Sequence, residues 1–394
     1  MLIAGGGIGG LAVALALAKC GIRSRVLERK PVFSEAGAGI QIGPNGVACL
    51  RAIGVAASLE PKTGRPDEIR VYDGLRGAVL SALPLGEAVN DRFGAPYWTI
   101  HRADLHASLL NAVEREPAIL IETGFQVDRL EAAADGIRLI STEGKVATGT
   151  AVVGADGLWS KVRSYVADRI DLRYAGWSAF RTVMASSDVP PALQANAVGL
   201  WLAPDAHVVH YPVRGGGETA AVVILPQTAS SEGSFKAGWA KDADRDELLR
   251  RVKHLAPDLV AFLETGEGWK SWSLFNVPAL ARWSNGYVSL LGDAAHPVLP
   301  FLASGGVLAL EDAVTLAACV AKQPDNVPAA FDAYAKQRMK RAEAAANGAR
   351  RNGAIYHMSG PSAFARNLAM KAIPAPRLMS RYDWLYGWKP PVLG

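Results

Sequence analysis

The sequence predicts an α/β fold: a Rossmann-type nucleotide-binding domain, a β-rich substrate domain inserted into it, and helices at the C-terminal end. Three observations predict it. An apolar strand from Met1 runs straight into Gly5-x-Gly7-x-x-Gly10, and an apolar helical run follows. A second strand, Ser24-Arg25-Val26-Leu27, ends on Glu28, roughly 20 residues beyond the glycines. The middle of the chain alternates apolar and polar residues as strands do, whereas its end carries helical spacing.

Each element follows in order. Gly5 permits a tight turn, Gly7 lets a pyrophosphate approach the backbone, and Gly10 lets the helix pack closely on the strand. With Ile8 and Gly9 they form the candidate phosphate loop, and the helix starting near Gly9 points its N–H groups and positive dipole end at the phosphates. Glu28 is placed for a ribose hydroxyl and Arg29 for the adenine or phosphates. Residues 37–53 read as a glycine loop and a short helix, and residues 68–100 as antiparallel strands. His101-Arg102-Ala103-Asp104 opens a helix, with Asp104 as its N-cap and Leu105, Leu109, Leu110 and Val113 at helical spacing. Residues 118–155 read as two or three strands returning to the nucleotide layer, 172–226 as strand-rich, and 245–264 as helical. Strand Val288-Ser289-Leu290-Leu291 leads into Gly292-Asp293, and a helix runs from about Gly305 to Ala321. Gly215-Gly216-Gly217 lies between two strands and reads as a hairpin turn, not a second dinucleotide site. The nucleotide domain is thus assembled from residues 1–67, 101–170 and 280–330, the substrate domain from 68–100 and 171–279, and a helical segment from 331–394.

Bulk properties narrow the function. The chain has 394 residues, 50% hydrophobic, enough for a large buried core. No apolar run is long and pure enough to span a bilayer, and no signal peptide is expected. The first strand is short for its role, so a few upstream residues are expected. Cys20, Cys49 and Cys319 are odd in number and widely spaced, as reduced core thiols of a cytoplasmic protein would be; no metal site is expected. A net charge of +5 favours anionic small molecules without implying nucleic acid.

Three glycine–acid motifs stand in sequence: the N-terminal triplet with Glu28, then Gly154-Ala155-Asp156-Gly157-Leu158-Trp159-Ser160-Lys161-Val162-Arg163, then Gly292-Asp293-Ala294-Ala295-His296-Pro297 with Pro300 and Gly305-Gly306 behind it. This set resembles the single-component FAD-dependent aromatic hydroxylases, the class A flavoprotein monooxygenases, and most nearly their salicylate, 3-hydroxybenzoate and 6-hydroxynicotinate hydroxylase branch. The resemblance covers nearly the whole chain and includes His101 to Leu105, Tyr174-Ala175-Gly176-Trp177 with Arg181, His210-Tyr211-Pro212-Val213, and Glu311-Asp312-Ala313.

The resemblance implies FAD as cofactor, NADH or NADPH as electron donor, dioxygen, and a phenolic or N-heteroaromatic acid hydroxylated through a flavin C4a-hydroperoxide. It implies that Asp293 holds the ribityl chain or pyrophosphate, that Arg102 and Asp156 lie on the flavin side, with Asp156 also tied to nicotinamide engagement, and that the helix at Gly305-Gly306 faces the flavin pyrimidine. His210 is the expected base or phenol-orienting group. Pro297 and Pro300 are expected to wall the reacting flavin edge, and Arg181, Trp201 and Tyr211 to contact the ring substrate. Ser304 stands where relatives carry glutamine, so it is expected to alter substrate choice.

Plainer roles stay open beside these. Asp156 also reads as a turn former, Asp293 as an N-cap, Arg102 and Arg163 as ion-pair partners, Arg181 as a surface strand residue, and His210 as a sheet histidine without catalytic duty. An oxidase or reductase without ring oxygenation and a non-catalytic FAD-binding sensor are the competing functions. The basic C-terminal part reads as solvated helix faces before a membrane-surface patch, and its aromatic end, Tyr382 to Trp388, as packed on the body or on the second copy of a homodimer.

Overall fold

The computed structural model describes residues 1–34, 38–133, 136–167, 172–226 and 241–394. Gly37 of the expected glycine loop, and residues 168–171 and 227–240 of the expected domains, lie outside the described residues.

Strand Leu2–Ala4 is flanked in parallel by Ser24–Glu28 and Val152–Gly154. Ile119–Thr123 and Val288–Leu290 extend the sheet on either side, and Ser284–Asn285 closes it as an antiparallel edge. Helix Ile8–Lys19 lies between this sheet and helix Gly305–Lys322, which explains why it is apolar all round: Leu11 to Leu17 are buried on every side. Parallel strands need both faces covered, so the core of the nucleotide layer sits here.

The second layer is an eight-stranded sheet in the order Lys241–Asp242, Lys270–Asn276, Arg173–Ala185, Glu218–Pro226, Ala206–Val213, Ala197–Ala203, Glu68–Asp73, Val79–Pro84. Its outer face packs under helices Arg245–Val252 and Pro257–Glu264. Its inner face packs against Val298 to Leu302 and helix Val327–Tyr356. The 215–217 glycines form a hairpin connection, with Arg214, Gly215 and Gly216 at φ 51°, 66° and 91°.

Three stretches differ from the sequence reading. Residues Gly86–Phe93 are helical, not strand, because Leu85, Val89 and Phe93 are spaced by four and bury one stripe. Trp98–His101 then joins Gly39–Ile42 and Thr63–Gly64 in a small antiparallel sheet. Of residues 118–155, Val127–Ala133, Gly136–Ser141 and Val146–Gly149 leave the nucleotide layer as a separate three-stranded sheet. Their alternation leaves charged residues such as Arg129 and Glu131 on one side, a pattern that a layer covered on both faces cannot accommodate. The expected 245–264 helix is two helices, since Pro257 starts a new one.

Candidate active site

The glycine loop divides into packing and ligand positions. A Cβ on Gly10 would lie 1.9 Å from the Gly5 carbonyl oxygen, and one on Gly5 (φ 104°) 2.5 Å from the Ala155 oxygen. A Cβ on Gly7 would meet nothing within 4 Å, so Gly7 faces open space at the helix N-terminus. Glu28 accepts from the backbone N–H of Gly6 (2.8 Å) and of Lys30 (2.9 Å), which fixes its carboxylate at the strand end. His106 Nε2 lies 2.8 Å from the Gly6 carbonyl oxygen; a carbonyl can only accept, so this nitrogen is the donor. Nothing in the sequence signals His106, because the contact spans 100 residues. Arg29 is exposed beside Glu28 and Asp156.

Asp156 is directed inward. Its carboxylate accepts from Ser160 Oγ (2.5 Å), Lys161 N (2.7 Å) and Val162 N (3.2 Å), so it closes its own loop. That loop presents Arg163, which donates to the carbonyls of Ala294 (2.7 Å), Asp293 (2.8 Å) and Leu158 (2.9 Å). Arg163 therefore ties the second motif to the third. Behind the third motif, Asp312 accepts from Gly292 N (3.0 Å), His296 Nε2 (2.5 Å) and Arg338 Nε (2.6 Å). His296 and Arg338 outweigh the desolvation of Asp312 and draw its carboxyl down to about 2. Glu311 pairs with Arg338 (2.6 Å) and Arg341 (2.7 Å), and Arg341 donates to the carbonyls of Trp384 and Leu385, holding the aromatic C-terminal segment on the body.

Asp293 is accessible yet overhung by protein. Desolvation raises its carboxyl above the ordinary range, against His296, Arg102 and Arg163, which lower it. An acid held like this in a cleft is suited to accepting from hydroxyl groups. Further along, Ala303 takes φ 48° and Ser304 caps helix Gly305–Lys322; the Ser304 Oγ is buried with no hydrogen-bond partner among the described residues. A Cβ on Gly305 would again meet nothing within 4 Å. Open helix starts at Gly7 and Gly305, with Glu28 beside the glycine loop and Asp293 in the third motif, fit a long ligand with phosphates in the middle and an anionic ring at one end, as FAD is.

Strand Ala206–Val213 forms the opposite wall, and here the structure corrects the sequence reading. Successive side chains alternate faces. His207, Val209 and Tyr211 point inward; His207 packs on Phe301 (ring centroids 5.1 Å apart), and a Cβ on Gly39 would lie 2.5 Å from the Tyr211 ring. His210 points outward. It is buried between Trp201 (6.3 Å) and Phe262 (5.1 Å), and burial lowers its basicity to about 4, with Arg70 adding to the effect. It borders an outer-face cavity of about 480 Å³ shared with Thr63, Ser186, Gln194 and Asn196. Trp201 is also on the outer face, stacked on Tyr72 at 4.1 Å. His210 and Trp201 are therefore core groups of the outer layer, separated by the sheet from the face that carries His207 and Tyr211.

Arg181 and Tyr211 do share the inner face. Arg181 sits over the Trp272 ring (5.2 Å), and its Nε has no hydrogen-bond partner among the described residues. Burial lowers its basicity and Tyr211 opposes that; burial likewise raises the Tyr211 phenol to about 12. Arg102 is close enough to be lowered by Arg181 and raised by Asp293, though burial is the main cause of its downward shift. Pro300 begins the short turn that carries Phe301. Pro297 lines a different cavity, of about 500 Å³, with Arg173, Tyr174, Trp283, His296 and Arg350.

Comparison with known proteins identifies the family and the fold. The FAD binding domain family model matches residues 1–349. The chain is 35% identical over 389 residues to 3-hydroxybenzoate 6-hydroxylase of Polaromonas naphthalenivorans (strain CJ2), covering 98% of this chain and 96% of that one. It is 36% identical over 388 residues to 3-amino-4-hydroxybenzoate 2-monooxygenase of Streptomyces cremeus, covering 98% and 94%. The crystal structure of Klebsiella pneumoniae HpxO complexed with FAD and uric acid superposes with a TM-score of 0.83 at 27% identity, covering 96% of this chain and 95% of that one.

Proposed function

Since this chain belongs to the FAD binding domain family of class A flavoprotein aromatic hydroxylases, we propose that it hydroxylates a phenolic acid of the hydroxybenzoate type, with Arg181 holding the carboxylate and His207 facing the phenol. It is an FAD-dependent monooxygenase that draws electrons from NADH or NADPH. The residues that would hold FAD are Gly7 and the start of helix Ile8–Lys19 for the pyrophosphate, Glu28 for the ribose, Asp293 for the ribityl chain, and the helix start at Gly305-Gly306 for the flavin ring. When bound, the flavin supplies the activation of dioxygen, which we take as the second substrate.

The observation that carries the substrate reading is Arg181. A guanidinium half-withdrawn from water costs several kcal/mol unless an anion accompanies it. Among the described residues no carboxylate pairs with Arg181. A bound benzoate would supply that charge. Distances along the sheet support the fit. Arg181 and Val209 are both registered opposite Val222, so they lie two strands, about 10 Å, apart, and His207 is about 7 Å further along its strand. Side chains reaching inward from those two points bracket one small ring. Tyr211 remains a neutral hydroxyl and can donate to either end of the substrate. A cytoplasmic setting suits the three free thiols.

The test is a screen of NADH and NADPH oxidation with 3-hydroxybenzoate, 3-amino-4-hydroxybenzoate and the neutral analogue 3-hydroxybenzyl alcohol, followed by product mass from labelled dioxygen. The acids should be hydroxylated in preference to the alcohol. Arg181→Gln should raise KM for the acids by roughly tenfold to a hundredfold, as loss of a charged hydrogen bond does, and leave the alcohol unaffected. Equal use of acid and alcohol by the wild type would remove the carboxylate reading.

A further inference from the structure

His207 has a partner that the reading above does not use. Its Nδ1 lies 2.9 Å from Nε2 of His357. His357 is the C-cap of the long helix Val327–Tyr356, and its ring stacks on Trp177 with centroids 4.0 Å apart and planes 15° apart.

The contact between the two rings allows two proton arrangements. Of two facing neutral imidazole nitrogens one donates and the other accepts, so the shared proton is on either His207 Nδ1 or His357 Nε2. With the shared proton on His207 Nδ1, the His207 Nε2 is bare. That is the tautomer a base needs to take a phenol proton at Nε2.

We propose that His357 is a positioning residue and proton outlet for the hydroxylation: it holds His207 with Nε2 unprotonated, and it accepts the His207 Nδ1 proton as the phenol proton arrives at Nε2. The proposal rests on the reading that His207 faces the phenol. The step balances without a co-reactant. The phenol O–H bond breaks and leaves its electron pair on oxygen, while His207 Nε2–H forms. In the same relay His207 Nδ1–H breaks and His357 Nε2–H forms, placing one positive charge on His357.

The outer histidine is the better place for that charge. His357 is half-buried and at a helix C-terminus, where the backbone dipole favours a cation, whereas His207 is buried against Phe301 and Tyr356. Asp205, itself held by His254, favours the charged form of His357; Arg366, which donates to the carbonyls of Ile355 and Tyr356, opposes it. At rest the pair is neutral, since burial depresses both rings, His357 to about 4.

The experiment uses FAD-loaded protein labelled with ¹⁵N-histidine, in which long-range proton–nitrogen correlations report each tautomer; His207→Gln and His357→Gln assign the two signals. In the wild type His207 should be neutral with its proton on Nδ1 between pH 6 and 8. His357→Phe should move that proton to Nε2. With 3-hydroxybenzoate as the spectroscopic probe, ionisation of the bound phenol should then move up by about one pH unit. The rate of hydroxylation should fall about tenfold with KM and flavin content held. His357→Gln, whose amide oxygen can accept from Nδ1–H, should restore the tautomer but not the rate. If the wild-type proton is on Nε2, or if His357→Phe leaves tautomer and phenol ionisation unchanged while His207→Gln is slow, the relay is overturned and the base assignment stands. If His207→Gln hydroxylates at full rate, the base assignment falls and takes the relay with it.

Discussion

The glycine loop of the parallel sheet and the strand Ala206–Val213 of the eight-stranded sheet specify their chemistry by different means. In the loop, each residue's duty is set within a few residues: Gly10 is held by the Gly5 carbonyl 1.9 Å from where its Cβ would be, while Gly7 looks into open space. On the strand, duty is set by parity, and parity acquires meaning only when one face meets the 298–302 turn and the other meets helices Arg245–Val252 and Pro257–Glu264. Local backbone geometry can be read from a motif. The assignment of a sheet face to cofactor or to core cannot, because it depends on what packs on each side.

The largest expected effect contrasts two glycines of the loop. Gly10→Ala forces a methyl group into a carbonyl oxygen and should destabilise the protein by about 3 kcal/mol, with flavin lost on purification. Gly7→Ala meets no protein atom, so melting temperature without flavin should be unchanged while FAD affinity falls. Flavin absorbance per polypeptide and thermal melting of the flavin-free forms check both. Equal melting of the two variants would erase the distinction between a packing glycine and a ligand glycine.

The next effect tests the strand. His207→Gln should lower the hydroxylation rate about a hundredfold, the usual share of a positioned general base. His210→Gln should leave the rate within a few-fold and act on thermal stability, since His210 is surrounded by Trp201, Phe262 and the Gly199 backbone. Steady-state kinetics of the two variants side by side decides it; the reverse order of damage would mean that the inner face is not the reacting one.

How much the sequence revealed follows the same division. The N-terminal strand–glycine turn–helix unit, the place of Glu28 at the end of the second strand and the α/β class were legible because each is a short pattern with one geometric solution. The direction of Asp156 was not: an Asp-Gly turn can extend its carboxylate outward or fold it back, and here three donors between Ser160 and Val162 fold it back. His210 and Tyr211 cannot both face the cleft, because neighbours on a strand point oppositely, so placing both at the substrate contained its own contradiction. Tyr211 and Arg181 lie inward with His207, and the His-x-x-x-Tyr spacing was the available signal. The pairing of His207 with His357 spans 150 residues and leaves no local trace.

A third effect separates two acids at one turn. Asp312, clamped by His296 and Arg338, has a folded-state pKa drawn from 3.8 to about 2. Its pairing therefore contributes stability that is full above pH 4 and is lost as pH falls through about 2, roughly 2 kcal/mol at neutral pH. Asp293 is shifted the other way, so its ionisation opposes folding above its ordinary range and its protonation relieves that cost. Melting temperature followed from pH 5 to 2 should drop steeply for the wild type, whereas Asp312→Asn should start lower and run flatter. Parallel curves would show that the clamp carries no net stability.

The smallest effect concerns Ser304, and it asks how finely the cleft is tuned. The Ser304 hydroxyl is buried at the start of helix Gly305–Lys322 with no hydrogen-bond partner among the described residues, a costly arrangement for a group that water or a ligand does not reach. The neighbouring Ala303 holds a left-handed φ of 48°, so the turn is committed to presenting residue 304 where it is. Ser304→Gln replaces the hydroxyl with one methylene and a carboxamide at that point, which lengthens the side chain toward the ring proposed to lie against Arg181. Turnover with 3-hydroxybenzoate should change only a few-fold. The sensitive quantity is the fraction of NADH that ends in hydroxylated product instead of hydrogen peroxide, because it depends on how the ring is held during reaction. A shift in that fraction, or in preference between 3-hydroxybenzoate and 3-amino-4-hydroxybenzoate, places residue 304 on the inner wall with His207. Identical product, rate and peroxide yield would return it to the helix as a cap and nothing more.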